Sequence, residues 1–236
     1  MPRHSTQTLA EPHYHGHYEL GILAQDVRRY RMAIARYRRE IALTNFYKAH
    51  YNLGTILQER KRYAEALKEY KEAVRKCPRF VAAHNNMGII YTGLKQYHRA
   101  IQAFSRAILI DKTNALFFFN LGFTYATAGQ YPKAVTTLRK ALALEPRHSG
   151  AMGLLGGVLI EEGILLAEGI SLLRRARKAA PGDPQDLACL AVGYLKQGRF
   201  ARASRLARRA KALAPNDQFV LEQVRRVSRA MPCGSG

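Results

Sequence analysis

Apolar and small residues recur along this chain at the three- and four-residue spacing of amphipathic α-helices, and the pattern repeats as pairs of such stretches. The segments YNLGTIL, NNMGIIY and FNLGFTY, with YELGILA, GGVLI and CLAVGYL in looser form, fall into register on Gly21, Gly54, Gly88, Gly122 and Gly157, and Ala191 takes the glycine's place in the last. The separations are 33, 34, 34, 35 and 34 residues. Twelve residues after each anchor stands a small residue: Ala33, Ala66, Ala100, Ala134, Gly169 or Ala203. Four further on comes Tyr37, Tyr70, Phe104, Leu138, Leu173 or Ala207, and three beyond that an alanine in every unit but the first, where Glu40 stands. Pro78, Pro146, Pro181 and Pro215 close four of the six units. Small residues at the glycine and alanine positions let two helices approach closely, and the tyrosines and leucines fill the space between units. A fixed period of this length predicts stacked helical hairpins, because one unit alone leaves an apolar face uncovered.

These offsets resemble the tetratricopeptide repeat, a 34-residue helix-turn-helix with Leu-Gly, Tyr, Ala, Phe and Pro at matching places. The resemblance covers residues 14–215 and implies an all-α fold, a right-handed α-solenoid of about six repeats at 14–46, 47–80, 81–114, 115–149, 150–183 and 184–217. A flexible lead-in over 1–13, a capping helix over 216–231 and a tail at 232–236 complete the expected organisation. The cap begins at Asn216 or Asp217, with Phe219, Val220 and Val224 covering the last repeat and Arg225, Arg226 and Arg229 facing water. Two features depart from the family pattern: the usual tryptophan at the fourth position is replaced by His17, His50, His84, Phe118, Gly153 and Leu187, and the first unit lacks its proline.

With each anchor numbered 8 and 100° added per residue, positions 4, 7, 8 and 11 face the core and positions 2, 5, 6, 9 and 13 face a groove. The candidate peptide-binding groove is therefore Tyr51, Asn52, Thr55, Asn85, Asn86, Ile89, Phe119, Asn120, Phe123, Leu155 and Val158. Asn52, Asn86 and Asn120 recur at one position, where an amide can pair with the backbone of a bound peptide or serve the fold locally. Beyond them the lining turns apolar, with Leu154, Leu155, Val158, Ala188, Cys189 and Val192. The fifth unit carries one extra residue before its anchor. Its interior glycines, each costing a helix about 1 kcal/mol relative to alanine, predict a weak joint there. In LFFFNLG the three rings sweep around the helix, placing Phe118 in the core, Phe117 at the edge against a neighbouring unit, and Phe119 at the groove wall.

Charge adds a second surface. Lysine and arginine number 38 against 17 acidic residues, a net charge of +21. At positions 25 and 26 of the second helices stand Arg38, Arg39, Lys71, Arg106, Arg139, Lys140, Arg174, Arg175, Arg208 and Arg209, a basic convex face suited to an anionic membrane surface, an acidic protein, or water alone. Nucleic acid is the weaker partner, since no aromatic platform interleaves the stripe. The cations of a carboxylate clamp, which in this family grips acidic chaperone tails, are replaced by Tyr51, Ala82, Leu116 and Asn120, so no affinity for such a tail is expected.

No phosphate loop, nucleophile elbow or paired carboxylates appear, and neither an enzyme nor a cofactor is expected. His13, His15 and His17 lack a fixed fourth ligand, and Cys77, Cys189 and Cys233 lack zinc spacing, so no metal is assigned. The opening MPRHSTQTLAEPHY has no apolar signal run, and the greasiest window is broken by Glu161, Glu162 and Glu168, which favours a cytoplasmic protein, free or peripheral to a membrane or organelle. Two functions fit: an adaptor holding a partner's extended peptide or helix in the groove, and a self-assembling scaffold on a membrane or bacterial organelle surface, similar in length and organisation to the magnetosome type, with homo-oligomers as its units.

Overall fold

The computed structural model describes residues 30–230, and all regular structure among them is α-helical. The chain divides into two compact units, residues 1–94 and 95–236. The first contains α1 (Tyr30–Thr44), α2 (Tyr47–Glu59), α3 (Tyr63–Lys76) and α4 (Val81–Gly93). The second contains α5 (Tyr97–Ile110), α6 (Ala115–Thr127), α7 (Tyr131–Leu144), α8 (Ser149–Glu162), α9 (Leu166–Ala179), α10 (Pro184–Lys196), α11 (Phe200–Leu213) and α12 (Gln218–Arg229). The first helix of the 14–46 repeat, with Gly21, the histidines at 13, 15 and 17, and the 232–236 tail lie outside the described residues.

Helices pair as hairpins, α2 with α3, α6 with α7, α8 with α9 and α10 with α11. In the second unit α6, α8, α10 and α12 also touch in succession, forming one layer, and α5, α7, α9 and α11 each pack against members of it. The small positions explain the close fit: Ala66, Ala73, Ala100, Ala107, Ala134, Ala141, Ala176, Ala203 and Ala210 are all fully buried. Glu40, standing where the other units have alanine, is buried too, and its Oε1 accepts a bond from Thr44 Oγ1 at 3.0 Å.

The hairpin turns fix the register. Lys61, Gly129, Gly163 and Gly198 adopt positive φ, each closing the first helix of its pair. Gly54, Gly122 and Gly156 lie seven residues before three of them, and a Cβ on each would meet the second helix at 2.7 Å (Tyr70), 2.7 Å (Leu138) and 2.8 Å (Leu173). Gly156 is therefore the close-approach glycine of the fifth repeat, and Gly157 instead faces Cys189 of α10 at 3.3 Å. The extra residue consequently does not precede the anchor but follows Gly163, in the exposed Ile164–Leu165 stretch before α9. An insertion ahead of the contact would rotate the core face of α8 by about 100°, whereas an exposed turn absorbs it without repacking.

The last helix is anchored at its start: the Asp217 Oδ1 accepts from Val220 N at 3.0 Å and its Oδ2 from Gln185 of α10 at 3.1 Å. The bond from the Val220 N–H, followed by that from Gln185, holds the Asp217 carboxyl below its ordinary range. Val220 and Val227 are buried as the covering face. Two expectations for this helix are corrected. Phe219 is 44% exposed. Arg226, rather than facing water freely, pairs with Glu161 of α8 at 2.8 Å.

Candidate functional site

In the first unit the asparagines of the groove face are already engaged by the fold. Asn86 Nδ2 donates to Tyr70 Oη at 3.2 Å and to Tyr51 Oη at 3.3 Å, and Asn52 Nδ2 reaches Tyr37 Oη at 3.5 Å. Tyr70 lies fully buried against Gly54, and burial pushes its phenol up to about 12, so it stays protonated and donates to Gln58 Oε1 at 2.8 Å. Tyr51 stacks at a tilt on Tyr70 and edge-on against Phe80, with centroids 5.7 and 5.0 Å apart. Of the two roles open to this asparagine, local support is the one the contacts favour here. For Asn120 of α6 the equivalent tyrosine position is Phe104 of α5, which has no hydroxyl to hold. Asn85 is buried beside Asn86 rather than presented on the wall, whereas Thr55 and Ile89 line a shallow hollow with Gln58 and Tyr63.

A stability consequence follows. Asn86→Ala should lower the unfolding free energy by about 1–2 kcal/mol, the cost of leaving a buried tyrosine hydroxyl short of a partner. In a Tyr70→Phe background the same substitution should cost clearly less. Urea unfolding of the four proteins in the cycle checks this, and equal costs in both backgrounds would remove Asn86 from the tyrosine network.

The second unit builds a more apolar site. A solvent-open trough of about 420 Å³ runs between Phe123 and Tyr131 on one side and Phe219 on the other, floored by Leu154, Gly157, Val158, Cys189 and Val192. It adjoins a smaller pocket of about 240 Å³ lined by Phe119, Gly150, Gly153, Asp183 and Asp186, and the two share Phe123, Leu154 and Gln185. Phe123 is 43% exposed, a large ring presented to the groove. Phe119 is half-buried, its ring packed 4.8 Å from His148, whose Nδ1 accepts from Ala151 N at 3.2 Å and so caps α8.

The one-residue register correction moves the fifth repeat's lining. Leu155, expected on the wall, is 1% exposed and belongs to the core with Leu138, Leu159 and Leu172, and Val158 is 6% exposed, forming floor rather than wall. Phe117, expected at an edge, is more deeply buried than Phe118. Gly153, Gly156 and Gly157 of α8 are packed against neighbouring helices within a continuous helix. Cys189 offers no reactive thiolate, because burial pushes its thiol up to about 12.

Asp186 was not singled out by sequence reasoning, nor were Gly153 and Phe219 as groove residues. Asp186 sits in the first turn of α10 behind the capping Asp183, whose Oδ1 accepts from Gln185 N at 2.8 Å. It is 8% exposed, and burial, followed by the nearby Asp183 charge, raises its carboxyl to about 7. The available signal was an acidic residue within an otherwise apolar helix, DLACLAV.

On the second helices Arg38, Arg39, Lys71, Arg106, Lys140, Arg174, Arg175, Arg208 and Arg209 are exposed, as is Arg139, which pairs with Glu168 at 3.0 Å. Among the described residues no helix is long and apolar enough to cross a membrane.

Residues 90–214 match the family model of the cilia and flagella-associated protein 70 middle TPR-like domain, and residues 54–95 match the TPR repeat. Among solved structures, PilF of Pseudomonas aeruginosa superposes with a TM-score of 0.75 at 18% identity, over 89% of this chain and 95% of its own. YrrB, described as a TPR protein with an unusual peptide-binding site, gives 0.63 at 21% identity over 79% and 96%. MamA of Desulfovibrio magneticus RS-1 gives 0.64 at 21% identity over 73% and 97%. At these identities the likeness is one of fold. No curated protein sequence matches the chain.

Proposed function

The chain belongs to the tetratricopeptide-repeat family, and from that premise we propose that it is a non-enzymatic adaptor holding a peptide or helix of a partner protein in the groove of its second unit. The observation that carries this reading is the trough between α6, α8, α10 and α12, an open apolar channel flanked by the exposed rings of Phe123 and Phe219 on a strongly basic protein. An exposed apolar strip with a polar end suits a segment that buries alternate side chains and leaves its polar groups to the rim. The exposed arginine pairs of the second helices give the same molecule a surface for an anionic partner. The peptide-binding site of YrrB supports the reading by fold analogy. A self-assembling scaffold draws on the likeness to MamA, which carries the fold alone and ranks behind.

Peptides selected from a random display library against the intact chain provide the test. Their affinity should fall at least tenfold for Phe123→Glu, which places a charge in the trough at a cost of roughly 1.4 kcal/mol or more. It should survive Arg174→Glu/Arg175→Glu. The opposite pattern would move the binding surface to the second helices.

A further inference from the structure

The smaller pocket contains a charge that the protein itself leaves unanswered. Asp186 is buried, yet among the described residues neither of its carboxylate oxygens receives a hydrogen bond or an ion pair. A carboxylate in the first turn of a helix ordinarily gains from the helix dipole or bonds back to the capping residue's N–H. Here no such bond forms, and Asp183, the capping residue, adds a second negative charge beside it. The neighbouring cation, Arg177 on α9, biases the carboxylate electrostatically but forms no ion pair with it, and the Arg177 Nε is itself buried without a partner. Among the described residues, then, no lysine or arginine of this strongly basic chain forms an ion pair with the buried carboxylate. The space around it is held open by backbone: at Gly153 an added Cβ would collide with Asp186 Oδ1, and at Gly150 it would meet the Phe119 ring at 3.3 Å. Two aromatic rings, Phe119 and Phe123, stand among the remaining lining with Ser149, Leu154 and Gln185.

Resting on the adaptor reading above, we propose that this pocket receives an arginine side chain of the bound segment, its guanidinium paired with Asp186 and lying against Phe119, while apolar neighbours of that arginine occupy the adjoining trough. A guanidinium suits the site better than an ammonium. It is planar, it matches a carboxylate in two-pronged geometry, it stacks on an aromatic face and it is the more weakly hydrated of the two cations. The shared residues Phe123, Leu154 and Gln185 put the charge-reading pocket and the trough within one continuous groove, so arginine next to an aliphatic residue is the pattern the groove reads. The result is the inverse of an acidic-tail clamp: a basic protein whose groove selects a cation.

The test uses the intact chain, its Asp186→Asn variant and the same random peptide library at physiological salt. Selection on the wild type should enrich arginine flanked by apolar residues, and selection on Asp186→Asn should lose that enrichment. For an enriched peptide, replacing arginine by the neutral isostere citrulline should weaken binding by about 30-fold on the wild type and little on Asp186→Asn, as expected when one partner of a desolvated charge pair is removed. Absence of arginine enrichment, equal enrichment of lysine, or an equal citrulline penalty on both proteins would overturn the assignment. Peptides without arginine that still lose affinity on Phe123→Glu would leave the adaptor reading standing and sink this one. Peptides indifferent to Phe123→Glu would remove both. Acidic peptides held by the exposed arginines would be recognised by their indifference to Asp186→Asn.

Discussion

Gly156→Ala is expected to lower the unfolding free energy by about 2–3 kcal/mol, while Gly157→Ala, one residue along the same helix, leaves it unchanged or slightly higher. The two glycines look interchangeable in sequence, but their surroundings differ. A Cβ at 156 would lie 2.8 Å from the Gly169 carbonyl oxygen and 2.8 Å from Leu173, with the Leu173 backbone nitrogen at 3.3 Å, so α8 and α9 would have to separate. Overpacking of that kind costs roughly 1–3 kcal/mol, more when backbone must move. At 157 the nearest atom is the Cys189 sulfur at 3.3 Å, on a side chain able to give by a few tenths of an ångström. There the roughly 1 kcal/mol of helix propensity gained by alanine offsets the crowding. Urea midpoints of both variants at matched slope decide the matter. The reverse order would restore Gly157 as the interhelical contact and return the extra residue to the helix.

Asp186→Asn should stabilise the protein, and increasingly so as pH rises from about 4 to about 7. The carboxyl has its ordinary value near 3.8 in the unfolded chain and is raised to about 7 in the fold, mainly by burial. Below pH 4 both states hold the proton and it contributes nothing to the difference. Between the two values the unfolded chain releases its proton while the folded one retains it, so stability falls with rising pH. Above 7 the penalty is complete. At 1.36 kcal/mol for each pH unit, a displacement of about 3 sets an upper bound near 4 kcal/mol. Asparagine has the shape of the protonated acid without the titration. The wild type and the variant should therefore melt together near pH 4 and diverge by about 2–4 kcal/mol at pH 8. Glu65, Glu72, Asp111 and Asp217, held below their ordinary range by hydrogen bonds, weaken the fold on acidification. They are common to both proteins and cancel in the comparison. Parallel stability profiles from pH 4 to 8 would show that Asp186 is not held in a desolvated state. A residue that costs stability where a neutral one would not is the kind retained for a function.

Helical pairing was legible in the sequence because its determinants are local and repeated: a small residue wherever two backbones approach, a large one four positions later. The fifth repeat misled the reading because Gly156 and Gly157 both satisfy a glycine pattern, and the residue that separates them is seven positions on, at Gly163, where the backbone turns left-handed. Phe119 and Phe123 were placed on the groove from helical angles alone. The pocket they border was not legible, since Gly153 and Asp186 are 33 residues apart in sequence and meet only when α8 and α10 stack. The asparagines showed the opposite limit. Their recurrence was visible, but their partners, the hydroxyls of Tyr37, Tyr51 and Tyr70, lie on other helices.

Because the chain has no tryptophan, its near-ultraviolet absorbance is tyrosine's. Tyr70, fully buried in the first unit with its phenol pushed up to about 12 by that burial, is expected to ionise in the folded state later than a free phenol. An alkaline spectrophotometric titration thus contains a late step belonging to that unit. The protein carries an intrinsic optical reporter in that unit, and loss of the late step registers opening around Tyr70 without any label.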